Sequence, residues 1–498
     1  MTAPVPPKKA DFPFYLLLLP VFFLLHGVVE HPHLVRPADA VPLLPRFWLP
    51  IVVGTVLLWY RWRNWQRAAL MVFAAAGIYF YFGIFHDGLK AIGGQGFLGK
   101  YSLVLPLLAA ALLLLFRALH RSRASFVRLT RYLNVLLVVL LLVDTGIGTV
   151  HHLNRNDGPL LPPLAMTALP DSAAKPDIHL IVADGYAGDR ALAQYFGFDN
   201  SAFTGALTQR GFRVVPDASS NYNYTAFSMA SLLNMDFLPL PDNRHRTEMG
   251  HELCFPLIRR SRFAGWLQHN GYEVHNHSIF ALGDAPPPFK IPFFRSGRSV
   301  LLLPTLESRL NRDLRFHLVT RFHLPSEIRR LARYEVNQGN GEMADLTLAE
   351  SRRSARQPRF IYTHLMLPHD PYFYRKDGTP VPAALLADPH NKDPRQYLEY
   401  LQYANGRLLS LVDSILAGSP RPPIILLLSD HSYRGGGSAP AVPPHLQLSV
   451  LNAVYLPSGN YSAWYPGISH VNHLRALLNQ QFHQRLPMLR DSSAFLVE

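Results

Sequence analysis

The pattern of apolar and polar positions divides the chain into two textures. Up to about residue 150, apolar side chains come in long runs at roughly 13–29, 47–60, 67–85, 101–116 and 132–150. A helix needs about 20 apolar residues to cross the hydrocarbon of a bilayer. The runs therefore predict five membrane-spanning helices, the second and fourth extending into their flanks. Residues 151–176, "HHLNRNDGPLLPPLAMTALPDSAAKP", lack periodicity and are rich in Pro, which predicts an extended linker over the membrane surface. From residue 177 the apolar runs shorten to strand length: "DIHLIVAD" (177–184), "RFIYTHLMLPHDPY" (359–372), "PIILLLSDHS" (423–432) and "LNAVYLP" (451–457). Helix-like stretches at 200–210, 225–235 and 396–417 lie between them. Buried strands alternating with helices predict an α/β domain with a largely parallel or mixed sheet over 177–498.

Charge orients the membrane half. Lys8, Lys9, Arg61, Arg63, Arg67, Arg117, Arg121, Arg123, Arg128 and Arg131 fall on one set of alternate connections, against Arg36, Arg46, Lys90 and Lys100 on the other. Positive-inside bias puts the N-terminus in the cytoplasm, and five crossings put everything after residue 150 outside. Trp59, Tyr60, Trp62 and Trp65 suit an interfacial belt. Ala38-Asp39-Ala40 resembles a signal-peptide cleavage site but lies too far beyond the first apolar run, so the run is expected to stay as a helix. Of the acids near the spans, Glu30 and Asp87 are expected in water at helix ends and Asp144 inside the bilayer.

Composition narrows the classes further. The net charge of +14 and pI of about 9.8 fit cytoplasmic Arg loops and anionic headgroups, and nucleic acid is not an expected partner outside the cytoplasm. The single cysteine, Cys254, rules out an intrachain disulfide and a Cys metal cluster, and is expected as buried packing. Arginines crowd 295–360, including Arg309, Arg312, Arg315, Arg321, Arg329, Arg330 and Arg333. They suit a solvated helical surface or docking onto anionic headgroups.

The chemistry gathers just after strand-like runs, where open α/β sheets place their sites. Asp184 ends the first run, and Asp430 with His431 ends the third. Two carboxylates and an imidazole form a ligand set for a divalent cation such as Zn²⁺ or Mn²⁺. A fourth position is left for a hydroxyl. Thr225, in "SNYNYTAFSMASLLN" (220–234), sits where a helix pattern begins, and a helix N-terminus favours a bound anion. Coordinated there, its hydroxyl would lose its proton more readily and attack phosphorus.

These segments resemble, in order, motifs of the alkaline phosphatase/sulfatase superfamily: "PDIHLIVADGY", "SNYNYTAFSMASLLN", "THLMLPHDPYFY" and "LLLSDHS". The resemblance is to its membrane-anchored branch, which holds lipoteichoic acid synthases and lipid A phosphoethanolamine transferases. It implies five transmembrane helices ahead of an extracytoplasmic domain on a bacterial inner membrane. It implies that Asp184, Thr225, Asp430 and His431 bind one divalent cation, with a second site possible, and that Thr225 is the nucleophile. It assigns His369, in "PHDPY", to the phosphoryl group or the leaving group, and His364 and His445 to the substrate. Asn223 and Asn234 are expected as capping residues or as holders of the loop.

The implied activity moves a phospho-headgroup, of phosphoethanolamine or phosphoglycerol type, from a membrane phospholipid to an envelope glycan or lipid. A phosphodiesterase of the same superfamily and a non-catalytic envelope assembly protein are the alternatives. Asp184 and Ser432 depart from the Glu and Gly of the closest transferases, which loosens the substrate assignment. The segment around Thr225 lacks the Cys/Ser-x-Pro-x-Arg pattern that sulfatase chemistry needs.

Overall fold

The computed structural model describes residues 12–32, 34–93, 97–153, 161–170, 172–240, 247–288, 297–314, 339–386, 392–436 and 440–496. Lys8, Lys9, Arg315, Arg321, Arg329, Arg330 and Arg333 lie outside the described residues, as does part of the expected linker. The chain forms two compact units: Met1–Asp157 with Arg295–His317, and Gly158–Phe294 with Leu318–Glu498.

The first unit holds helices α1 (Tyr15–Glu30), α2 (Leu43–Trp62), α3 (Trp65–Gly93), α4 (Tyr101–Arg121) and α5 (Val127–Leu153). Four spans among the described residues are long and apolar enough to cross a membrane: Pro37–Trp62, Trp65–Ile92, Tyr101–Arg121 and Val127–His151. At 16 residues, α1 is apolar but shorter than a full crossing, so four of the five expected spans reach membrane length. Phe23, Phe47 and Phe80 form the aromatic centre of the bundle, with Phe23 and Phe80 stacked at 4.7 Å. Asp144 is buried in α5 and meets His26 Nδ1 of α1 at 3.2 Å, whereas Glu30 and Asp87 are exposed.

Two short helices, Arg298–Leu302 and Leu306–Asp313, belong to this unit although they lie far along the chain. Gly83 Cα leaves room for the Pro304 backbone, and the Gly83 N–H donates to the Pro304 carbonyl at 2.7 Å. Arg309 forks onto the Asp87 carboxylate, 2.8 Å from Oδ1. This arginine of the basic run therefore pairs with a protein carboxylate rather than facing water alone. Arg353 and Arg359, on the second unit, likewise meet Glu273 and Asp177.

The second unit is built on a six-stranded mixed sheet in the order β2-β6-β5-β1-β4-β3. The strands are β1 (Ile178–Ala183), β2 (Arg213–Val214), β3 (Glu273–His277), β4 (Arg359–Leu365), β5 (Ile424–Leu428) and β6 (Asn452–Tyr455). β1 runs parallel to both β4 and β5, β3 runs parallel to β4, and β6 runs antiparallel to β5 and β2. Every residue of β1, β4 and β5 is buried, as strands covered on both faces must be, although β1 carries His179 and β4 carries Arg359, Thr363 and His364 among apolar neighbours. The helices that matter for the site are α6 (Thr225–Asn234), α7 (Asn340–Arg352), α8 (Pro394–Gly418) and α9 (His470–Phe482). Cys254 is free and buried, as its lone position implied.

After residue 160 the expected linker segment is extended and held by the second unit. Leu161 is buried in the core of the second unit, Thr167 N donates to Gln484 Oε1 at 2.8 Å, and Leu169 N donates to Asn270 Oδ1 at 2.6 Å. Its unpaired backbone groups find side-chain partners on that unit, which Pro content alone does not foretell.

Candidate metal centre and nucleophile

Strand register creates the site. Val182 pairs with Leu428 and, on the other edge of β1, with His364. Two residues further on, Asp184 lies beside Asp430, at the carboxyl ends of the central strands. Both neighbours of β1 run parallel to it there, on either side of the crevice where such sheets bind ligands. Asp184 N donates to the Leu365 carbonyl at 2.9 Å and Gly185 N donates to Asp430 Oδ1 at 2.9 Å, tying the two loops together. Gly185, at φ +70°, makes the turn that a side chain would resist.

Asp184, Asp430 and His431 are buried, and each offers one ligand atom within 4.8 Å of the others. Asp184 Oδ1 and Asp430 Oδ2 are buried without a hydrogen-bond partner. The other oxygen of each carboxylate is anchored: Asp184 Oδ2 to His364 Nε2 at 3.1 Å, and Asp430 Oδ1 to Gly185 N. Two orphaned anionic oxygens in a closed space are costly unless a cation meets them.

Thr225 completes the set from the first position of α6, all ten residues of which are buried. Its Oγ1 lies 3.2 Å from His431 Nε2 and 3.4 Å from Asp184 Oδ2. His431 Nε2 is 3.4 Å from Asp430 Oδ2 and 3.9 Å from Asp184 Oδ1. Ligands about 2.0–2.1 Å from a tetrahedral ion stand roughly 3.3–3.4 Å apart. The donors therefore fit a small divalent cation with one nitrogen and a mostly oxygen shell.

Electrostatics prepares the same state. Burial lowers the His431 pKa, though the Asp430 carboxylate opposes it. Its Nδ1–H donates to the Ser432 carbonyl at 2.6 Å, so Nε2 carries the lone pair that faces the donors. Burial works against the Asp184 carboxylate, yet His369, His364 and His431 together hold it below the usual carboxylate range.

The structure brings Asp184, Thr225, Asp430 and His431 together and sets His369 beside them. His369 lines a cavity that His431 and Gly185 also line, with Nδ1 2.7 Å from the Asp370 carbonyl and its ring 3.8 Å from where a Cβ on Gly185 would lie. His364 is fully buried beneath the site, between Tyr362 OH at 2.9 Å and Asp184. Its Nε2 meets the Asp184 carboxylate, and the ring does not line the cavity that His369 lines. His445 sits exposed on the short helix Pro444–Gln447 and does not line the cavity. Asn223 and Asn234 hold rather than cap: Asn223 pairs both ways with the Leu496 backbone, and Asn234 joins α6 to Leu257 and Arg262.

Sequence reasoning missed Asp370, Lys392, Tyr397 and Arg434, which line the cavity. Lys392 pairs with Asp370. Arg434 stacks over Tyr224 at 4.3 Å, and Tyr397 OH donates to the Gly185 carbonyl at 2.9 Å. Asp370, next to His369, and Arg434, three residues after His431, carried a positional hint; Lys392 and Tyr397 come from a loop and a helix remote in sequence.

Structural neighbours of this chain include phosphoethanolamine transferases and sulfatases. The C-terminal periplasmic domain of EcEptC from Escherichia coli matches at TM-score 0.41 and 13% identity, over 68% of this chain and 94% of that one. The integral membrane lipooligosaccharide phosphoethanolamine transferase A (EptA) from Neisseria meningitidis matches at 0.37 and 13%, over 94% of both chains. A putative sulfatase from Bacteroides thetaiotaomicron matches at 0.37 and 14%, over 65% of this chain and 74% of that one. No protein-family model matches the chain, and no curated protein matches it.

Proposed function

We propose that this protein is a membrane-anchored, metal-dependent transferase that moves a phospho-headgroup from a membrane phospholipid to a glycan or lipid of the bacterial envelope. The observation that carries the reading is the pair of orphaned oxygens on Asp184 and Asp430, set with His431 Nε2 around the Thr225 hydroxyl. These four residues would hold the cation. A bound Zn²⁺ or Mn²⁺ supplies Lewis acidity that eases ionisation of a hydroxyl and offsets charge on a phosphoryl group.

Thr225 Oγ1 attacks the phosphorus of the lipid phosphodiester. A bond from the threonine oxygen to phosphorus forms, the bond from phosphorus to the glycerol oxygen breaks, and the threonine proton passes to water. His369 donates its Nδ1–H to the Asp370 carbonyl, which turns Nε2 to the cavity; as the imidazolium, the ring passes its Nε2 proton to the departing diacylglycerol oxygen and is left neutral. An acceptor hydroxyl then attacks phosphorus and gives its proton to the neutral His369 Nε2, the bond from phosphorus to Thr225 breaks, and the threonine oxygen takes a proton from water, restoring both residues. The N-terminus of α6 stabilises the phosphoryl anion held on its first residue.

A cytoplasmic N-terminus, α1 as a fifth crossing and an outward catalytic unit complete the proposal. The contacts of the 297–313 segment support this orientation. They fall on Gly27, Leu34, Asp39, Arg46, Gly83, Asp87 and Tyr101, all toward the helix ends that positive-inside bias places outside.

Intact mass of the full chain, incubated with phosphatidylethanolamine or phosphatidylglycerol and Zn²⁺ or Mn²⁺, tests the reading. A gain of one headgroup phosphate, lost in Thr225→Ala, is expected. An adduct that persists in Thr225→Ala, or metal that fails to bind the wild type, overturns it. Turnover to free headgroup phosphate without an acceptor would assign the hydrolase branch.

A further inference from the structure

The residues that lead into Thr225 are bound to a stretch of chain remote from them in sequence. α6 starts at Thr225, and its N-cap residue, Tyr224, gives no side-chain cap. Residues 220–223, just before it, belong to no helix and to no strand of the sheet. Yet Ser220, Asn221 and Asn223 are buried, so their polar groups need fixed partners.

Those partners lie on residues 492–496. Ser493 Oγ donates to the Ser220 carbonyl at 2.6 Å, Asn221 Nδ2 to the Ser492 carbonyl at 2.7 Å, and Ala494 N to the Asn221 carbonyl at 2.8 Å. Asn223 Nδ2 donates to the Leu496 carbonyl at 3.0 Å, and Leu496 N donates back to Asn223 Oδ1 at 2.8 Å. Among the described residues, these are the hydrogen bonds that 492–496 makes, and every one falls on the approach to Thr225. Asp491 ties the near end of the segment to the start of α9, accepting from Ser469 N at 2.7 Å and Asn472 Nδ2 at 2.9 Å.

We infer that 492–496 is a strap that positions the nucleophile. Asn221 and Asn223 are positioning residues: they act on Thr225 through the loop, and neither lines the cavity nor belongs to the donor set. The inference rests on Thr225 as the nucleophile of the proposed function.

The strap is lightly held. Ser492 and Ser493 are exposed, and only Leu496 is buried. A segment with few buried contacts opens more readily than a central strand. When it opens, Thr225 Oγ1 loses the support that sets it 3.2 Å from His431 Nε2. A reacting atom misplaced by about 1 Å costs on the order of 100-fold in rate. Asp184, Asp430 and His431 sit at the ends of β1 and β5, tied to each other by Gly185, and keep their places without the strap. Loosening it therefore lowers the reaction far more than it lowers cation affinity. The coupling is reciprocal: a cation that holds Thr225 Oγ1 steadies the loop, and through it the strap. A segment that only covered the surface would exchange its amides at one rate whether or not a cation held Thr225.

The test compares the full chain in detergent with Asn223→Ala and with Ala494→Pro. The second variant removes the N–H that meets the Asn221 carbonyl and leaves 220–225 unchanged, so it decides the matter if Asn223→Ala does not fold. Hydrogen exchange over 492–496 is read with and without Zn²⁺, beside Zn²⁺ affinity and the rate of the Thr225 adduct against lipid concentration. In the wild type, Zn²⁺ should slow exchange over 492–496 several-fold. In both variants exchange should be fast with or without Zn²⁺. Their maximal adduct rate should fall about 10–100-fold, with half-saturating lipid and Zn²⁺ affinity within about threefold of the wild type. Exchange in the wild type that ignores Zn²⁺ overturns the inference. So do adduct rates within about twofold of the wild type in both variants, or a loss of Zn²⁺ affinity as large as the loss of rate. A wild type that binds Zn²⁺ but forms no adduct sinks the transfer reading, and the exchange difference still decides whether the strap holds Thr225.

Discussion

Replacing His364 by Leu separates a residue that orients a ligand from one that touches substrate. His364 Nε2 is 3.1 Å from Asp184 Oδ2, its Nδ1 is 2.9 Å from Tyr362 OH, and the ring is wholly buried. Leu removes the donor that fixes the carboxylate while Asp184 Oδ1 stays aimed at the cation. Loss of such an outer partner typically lowers metal affinity about 10–100-fold, equivalent to about 1.4–2.8 kcal/mol. Chelator-competition titration of Zn²⁺ on the full chain in detergent reads that change directly. The Thr225 adduct rate at saturating metal should recover most of the loss, because the nucleophile and His369 are untouched. Unchanged metal affinity together with a lost adduct would refute the orienting role and return His364 to the substrate.

Three further outcomes follow from the same structure. Asp177→Asn breaks a pair with Arg359 whose side chains are 2% and 1% exposed, at 2.7 Å; leaving that guanidinium with only the more distant Glu350 carboxylate, at 3.9 Å, should destabilise the second unit by about 3 kcal/mol, read by hydrogen exchange at β1 and β4, and a loss below about 1 kcal/mol would refute it. Burial pushes His179, His470 and His473 down to about 3, against about 6.5 unfolded, so the unfolded chain binds protons that the folded one refuses. Stability should therefore fall as pH drops from about 6.5 toward 3, with a slope of about 4 kcal/mol per pH unit from the three, and His179→Leu should remove about a third of it in pH-dependent melts. A Cβ on Gly83 would lie 2.9 Å from the Pro304 backbone, so Gly83→Leu should expose the 297–313 segment to limited proteolysis at least several-fold faster, and equal cleavage of both proteins would show that the segment is held elsewhere.

Much of the site was legible in local pattern. A strand that is buried on both faces is largely apolar, so "HLIVA" and "IILLL" announced themselves, and the polar residues that follow them had to lie at one rim of the sheet. Asp184, Asp430 and His431 were found on that ground, and Thr225 from the helix start it occupies. The ends of the apolar helices followed from length and charge, although α1 proved shorter than its apolar run suggested.

Tertiary structure decided what no local pattern encodes. Strand register put Asp184 opposite Asp430 across 246 positions of chain, and turned one oxygen of each toward the same space. It moved His364 beneath the ligands and left His445 on the surface, a difference of depth that two histidines in loop-like sequence do not signal. It also drew the 297–313 segment onto α2 and α3, where Arg309 meets Asp87 and Glu307 meets Arg46. Composition reads those arginines as one basic surface because it counts charges. Their partners are set by distance, and distances between residues remote in sequence exist only once the chain has folded.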